Sequence, residues 1–200
     1  MTFGLLEKAD VMPDALAGIK LALPGEHNIY NALAAIAVAK ILRVDRQAIK
    51  RGLERARPAA HRMQTIILSD KTRIIDDCYN ASPRSVTAAL KVLASMKEGR
   101  WTRDEGRTIA VLGDMLELGR HAKTAHRRVV VLARQLKIDK LFTFGRNWPR
   151  SAAPEKNRQQ LIKRLRIFIR PRDIILVKGS RGMRLEAVVE SLSQSTRPNL

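Results

Sequence analysis

The spacing of apolar positions changes character once along the chain. Before Pro58 the pattern is helical: residues 30–42 form an Ala-rich stretch of strong helix propensity, and the turn Leu23-Pro-Gly-Glu-His-Asn28 leads into it, with Asn28 a candidate N-cap. Asp45 caps a second helix, from Arg46 to about Ala56, which Pro58 ends. Beyond Pro58, short β-rich runs alternate with longer helical ones. Residues 63–68 and 72–76 read as strands around the turn Ser69-Asp70-Lys71, and Ser82-Pro83 opens a helix reaching about Met96, with proline at its first position. Three units then repeat one order. Residues 108–112 stop at Gly113 and are followed by a helix over 121–136; 140–144 stop at Gly145 before a basic helix over 157–169; 173–177 stop near Gly179 before a helix over 183–192. Strand, glycine, helix, repeated, predicts an α/β domain with a mainly parallel sheet and helices on its faces. Ligands gather at the carboxyl ends of the strands in such sheets, where these glycines stand. Residues 99–106 read as a polar insertion, and 193–200 as a frayed tail.

Composition adds limits. Hydrophobic residues make up 45% of the 200 positions but aromatics only 4%, so the core must be aliphatic. The single cysteine, Cys78, excludes an internal disulfide and reads as a bystander. No apolar run approaches the roughly 18 residues that span a bilayer. The first residues have no basic start and soon meet acidic ones, unlike a secretory signal. The chain therefore reads as soluble, in the cytoplasm or inside an organelle.

Charge changes the picture more. Lys and Arg number 38 against 19 Asp and Glu, a net of +19, well beyond the magnitude of about 2–8 usual for a soluble small domain. Residues 106–200 hold 21 basic and 7 acidic residues, and between Arg146 and Arg172 nine basic residues face only Glu155. Two readings stand: a solvated face, or a surface for RNA or a ribonucleoprotein.

Four collinear segments carry a resemblance. Leu23-Pro-Gly-Glu-His-Asn-Ile-Tyr-Asn-Ala, Ile75-Asp-Asp-Cys-Tyr-Asn-Ala-Ser-Pro, Val111-Leu-Gly-Asp-Met-Leu-Glu-Leu-Gly and Leu176-Val-Lys-Gly-Ser-Arg-Gly-Met together resemble the Mur ligases, in the variants of the MurF type. The resemblance implies a Rossmann-like C-terminal domain over 59–200, preceded over 1–58 by a helical remnant of the central ATP-binding domain. It also implies a chemistry: ATP and Mg²⁺ convert a carboxylate to an acyl phosphate, which an amine displaces. For the MurF type these are UDP-MurNAc-tripeptide and D-Ala-D-Ala.

On that resemblance, Asn28 and Asn31 would meet adenine, an edge that an amide can both donate to and accept from. Arg62 would reach the γ-phosphate, where a planar, permanently charged fork binds oxygens in pairs. His61 stands where the MurF type more usually has glycine. Asp77 would bind the ribose, or else cap the following turn. Asn80 would shape the same loop. Lys178 and Ser180 would hold the carboxylate of the incoming dipeptide, with Asp114 facing the same crevice. No metal ligand is identified in this sequence.

One expected part is missing from these 200 residues. Neither Lys71-Thr72 nor Lys123-Thr124 has the preceding glycines of a Gly-Lys-Ser/Thr phosphate loop. Phosphoryl transfer rests on that loop and its metal, so the chain by itself is expected to be inactive. The start at Met1 is expected to fall within a domain. Three readings follow: part of a MurF-type ligase completed by a separate chain carrying the ATPase half, a repurposed basic scaffold on an RNA-rich particle, or a regulatory nucleotide- or amino-acid-binding module.

Overall fold

The structure, a computed structural model, describes residues 1–6, 8–22, 25–57, 60–97 and 106–194, apart from the His27 side chain. The start of the turn at 23–24, most of the polar insertion at 99–106 and the end of the tail lie outside them. The chain divides into two compact units, Met1–Pro58 and Ala59–Leu200.

The first unit carries helices α1 (Glu26–Ile41) and α2 (Arg46–Arg55) after a 3₁₀ turn at Pro13–Leu16. Asp45 caps α2 as expected, accepting from the backbone N–H of Gln47 (2.8 Å) and Ala48 (3.0 Å). Asn28 is not the cap of α1. Gly25 occupies that position with φ of 105°, and its carbonyl already accepts from the Asn28 N–H at 2.9 Å. Only glycine takes that conformation without strain, so the helix begins a turn early. A small core of Val11, Leu33, Ile36 and Ala37 packs against Phe3, Ile49 and Leu53. The same helix leaves Val38, Ile41 and Leu42 more than half exposed. Apolar residues on all sides mark a helix made for a larger core than this unit supplies.

The second unit is a five-stranded sheet of order β1-β2-β5-β3-β4. The strands are β1 (Gln64–Ile67), β2 (Arg73–Asp77), β3 (Thr108–Gly113), β4 (Lys140–Phe144) and β5 (Ile174–Lys178). β2 to β5 are mutually parallel, and β1 alone pairs antiparallel, with β2. Of the three inner strands, β3 and β5 are buried at every position, which is why they read as unbroken apolar runs. Helices α3 (Pro83–Lys97) and α4 (Ala122–Gln135) cover one face through Leu90, Leu93, Val129 and Val130. Helices α5 (Arg158–Phe168) and α6 (Glu186–Gln194) cover the other through Leu161, Leu165, Val188 and Val189. The last helix starts at Glu186 and not at Met183, because Arg181–Met183 form a 3₁₀ turn that ends in left-handed Arg184, φ 49°.

Ion pairs secure the amino end of the sheet. Arg107 gives Asp173 two bonds, Nε–Oδ1 at 3.0 Å and Nη2–Oδ2 at 2.7 Å. Asp139 accepts from Lys97 (2.6 Å) and from both the N–H and hydroxyl of Thr108 (2.8 Å each). Burial opposes the charge on Asp139, but those hydrogen bonds outweigh it and hold its carboxyl below the usual range. Among the described residues no helix is long and apolar enough to cross a membrane.

Candidate functional site

Strand direction gathers the second unit's candidates. Asp77 and Lys178 end β2 and β5 and are direct neighbours in the register. Asp114 follows β3 at once. Arg62 reaches the same end by the opposite route: β1 runs antiparallel and pairs Gln64 with Asp76, so the residues just before it lie at the carboxyl end of β2. Sequence periodicity places strands and their glycines, but not the direction of β1.

Lys178 is the centre of this end. Its ammonium is buried, 3% exposed, and donates to Asp77 Oδ2 at 2.6 Å and the Asn80 carbonyl at 2.8 Å. Asp77 Oδ1 accepts from the Met63 N–H at 3.3 Å. Two carboxylate oxygens are thus engaged, while one of three ammonium protons has no partner in these bonds. Asn80 acts through its backbone here, and its side chain accepts from the Ala81 N–H at 2.8 Å.

The neighbouring Asp76 is buried and does different work. Its Oδ2 lies 2.7 Å from His61 Nδ1 and its Oδ1 accepts from the Cys78 N–H at 3.2 Å. Together with the bond from the Tyr79 N–H to the His61 carbonyl (3.0 Å), this pins the segment before β1 onto the loop after β2. Cys78 is buried, and that burial, with the Asp76 charge beside it, pushes its thiol far above the usual range. It is no nucleophile.

Arg62 is exposed, and its guanidinium lies 4.0 Å from the centroid of the Tyr79 ring. Arg181, in the turn after β5, approaches the same ring at 5.7 Å. Neither Tyr79 nor Arg181 is evident from the sequence as a site residue, although both lie inside the quoted motifs. The result is an exposed pair of guanidiniums around one aromatic ring, beside a buried Lys–Asp pair.

Asp114 and Ser180 stand at the expected strand ends with their polar atoms turned inward. Asp114 Oδ2 accepts from the N–H of Arg146 (2.9 Å) and from Asn147 Nδ2 (3.0 Å). A Cβ on Gly145, φ 128°, would collide with that carboxylate. Ser180 Oγ accepts from the Leu116 N–H at 2.9 Å and donates to the Ala81 carbonyl at 3.3 Å. His126, fully buried, takes the Met115 N–H on Nε2 (3.0 Å) and bonds the Ala122 carbonyl through Nδ1 (2.6 Å), which only the Nδ1–H tautomer satisfies. These residues lock the loops that follow β3, β4 and β5.

In the first unit, Asn28 and Asn31 share one face of α1, their side-chain amides 3.5 Å apart, Nδ2 to Oδ1. The fit for Mg²⁺ is poor: among the described residues no group of three or more His, Cys, Asp or Glu side chains could hold a metal ion.

With this geometry in hand, similarity to known proteins is informative. Residues 61–181 match the family described as Mur ligase, glutamate ligase domain. The UDP-N-acetylmuramoyl-tripeptide--D-alanyl-D-alanine ligase of Escherichia coli is 34% identical over 191 residues, covering 92% of this chain and 40% of that protein. A solved ligase structure from Acinetobacter baumannii, named for joining D-alanyl-D-alanine to a UDP-N-acetylmuramoyl peptide, superposes with a TM-score of 0.75 at 30% identity, over 88% of this chain and 38% of the other. The MurF ligase of Thermotoga maritima in complex with ADP shares the fold, at a TM-score of 0.70 and 23% identity, over 89% of this chain and 40% of that one. The chain spans about 40% of the length of the curated relatives it matches.

Proposed function

Because this chain belongs to the Mur ligase family, we propose that it supplies the C-terminal part of a cytoplasmic MurF-type site, where ATP drives amide formation between UDP-MurNAc-tripeptide and D-Ala-D-Ala. The observation that carries this reading is the convergence of Arg62, Asp77 and Lys178 on one end of the sheet, on elements from three separate parts of the sequence.

In this reading Arg62 is the mobile cation of the site. It is exposed and, among the described residues, held by the face of Tyr79 alone, so it can swing toward a transferring phosphate and bind its oxygens as a fork. Lys178 is the fixed cation. Buried and oriented by Asp77 and Asn80, it has one proton left for the carboxylate of an incoming dipeptide. Asp77 meets the ribose at its rim only if a hydroxyl shares an oxygen already bonded to Lys178 or Met63. Asp114 and Ser180 act on the substrate through the loops they hold. Asn28 and Asn31 offer their amides to adenine. ATP supplies the acyl-phosphate chemistry when bound. Mg²⁺ and the phosphates are held by residues beyond these 200, on a separate chain or on another segment of the same protein.

The test is direct. The purified 200-residue chain, given ATP, Mg²⁺, UDP-MurNAc-tripeptide and D-Ala-D-Ala, is expected to release no phosphate above background, since neither of its Lys-Thr pairs has the preceding glycines of a phosphate loop. Phosphate release that tracks dipeptide addition, with contaminating ligase removed, would overturn the division of labour proposed here.

A further inference from the structure

The basic surface is untouched by that chemistry, and the structure redraws it. Of the nine basic residues between Arg146 and Arg172, several are bound within the protein. Arg164 pairs with Glu155, Arg166 donates to the Ser191 carbonyl and hydroxyl, and Arg158 donates to the Met183 carbonyl. Others face solvent and make no side-chain bond among the described residues: Arg146, Arg150 and Lys156 on the connection from β4, then Lys163 on α5 and Arg170 beyond it.

Helix α4 adds a second set that sequence order conceals. Lys123, Arg127, Arg128 and Arg134 are all exposed, with no carboxylate within ion-pairing distance among the described residues, and the helix contains no acidic residue. Helices α4 and α5 lie on opposite faces of the sheet, and both border its edge strand β4. The 145–157 connection crosses between them, bonded to β4 through Glu155 N–H to Thr143 carbonyl (2.8 Å) and Gly145 N–H to Glu155 carbonyl (3.0 Å). The cations therefore form one band that runs from α4, around the β4 edge, to α5. Like charges so placed repel one another, and the one carboxylate within the band, Glu155, is already paired with Arg164.

We propose that this band binds single-stranded RNA through its sugar-phosphate backbone. Most of the unpaired cations are arginines, whose planar forks take phosphate oxygens in pairs. The band curves around a sheet edge, so a flexible strand can follow it, whereas a flat bilayer meets only one side. Its large exposed apolar residues, Val131 and Ile167, stand on the two opposite faces and make no patch for insertion into lipid. Aromatic rings offer no stacking platform either: Trp148 is buried, and Phe168 is half-buried beneath Arg107. Binding is therefore set by phosphates and indifferent to base sequence.

The experiment is fluorescence anisotropy of the full chain with a labelled 30-nucleotide mixed-sequence RNA between 50 and 200 mM salt. Single-strand binding loses affinity with a log–log slope of about 0.7 per phosphate contacted, so about five contacts predict a loss of roughly 100-fold across that range. In the variant R127Q/R134Q/R150Q/K163Q, at 50 mM salt, binding should fall at least tenfold, and its salt dependence to roughly threefold. These four side chains bond nothing among the described residues, and an unchanged circular dichroism spectrum and melting temperature identify the loss as one of charge. A flat salt dependence of the parent chain would overturn the proposal. So would a folded variant binding as tightly as the parent, or tighter binding to vesicles containing 30% phosphatidylserine than to RNA.

Discussion

Asp77 and Arg62 stand within a few residues of each other in space but answer mutation differently. Replacing Asp77 with Ala leaves the buried Lys178 ammonium without its carboxylate, which should cost about 3–5 kcal/mol in urea unfolding. Arg62→Ala removes an exposed side chain and one cation–π contact, for about 1 kcal/mol or less. A loss of activity can thus be read as chemistry at Arg62 but not at Asp77; equal stabilities for the two variants would show that the Lys178–Asp77 pair is not a buried charge pair. Cys78 should resist maleimide at pH 8 in the native protein and react once urea unfolds it, because burial holds the thiol protonated. Rapid native labelling would contradict its packing. Asp139 gives a pH signature. Its folded carboxyl titrates below its unfolded one, so its contribution is complete above the unfolded value near about 4 and is lost as pH falls through the lower folded value. Asp139→Asn should therefore cost about 1–2 kcal/mol at pH 7 and progressively less below about pH 4. A cost that stays constant down to pH 2 would remove the carboxylate from this role.

Elements were legible where a local residue sets them. Asp45 caps its helix, Pro83 opens α3, and glycines end β3 and follow β4 and β5 as the repeating pattern predicts. Asn28 misled because a preceding glycine can also start a helix, and its left-handed φ leaves no mark that periodicity can read. The loops after the strands were legible in position only. Asp114 looks like an exposed strand-end acid, yet it holds the Gly145–Asn147 turn, a partnership between residues about thirty positions apart. Gly145→Ala should therefore destabilise the unit by about 2 kcal/mol or more, through both the collision with Asp114 and the unfavourable φ. A melting temperature within a degree of the parent would mean that the loop repacks without cost.

At the scale of the whole molecule, the parallel sheet could be inferred from three strand–glycine–helix units, but the order β1-β2-β5-β3-β4 could not, because pairing between distant strands has no local signal. That order decides the site. It puts β5 between β2 and β3, so that Lys178 meets Asp77, and the antiparallel β1 returns Arg62 to the same end. The charge count likewise announced a basic protein without saying that α4 and α5 border one edge strand. The exposed Val38, Ile41 and Leu42 of the first unit fit a chain that spans about 40% of its relatives' length, since that helix face needs more protein to cover it. The account predicts that a polypeptide carrying the phosphate-loop segment of a MurF-type ligase covers this face and completes the site. The decisive measurement is dipeptide-dependent phosphate release from an equimolar mixture of the two polypeptides, with Arg62 intact and as Arg62→Ala. The mixture should turn over where each part alone is silent, and Arg62→Ala should slow it by roughly 100- to 1,000-fold, the loss expected for one donor to a transferring charge. A mixture of well-folded parts that bind each other yet release no phosphate, or an Arg62→Ala variant as fast as the parent, would contradict the account.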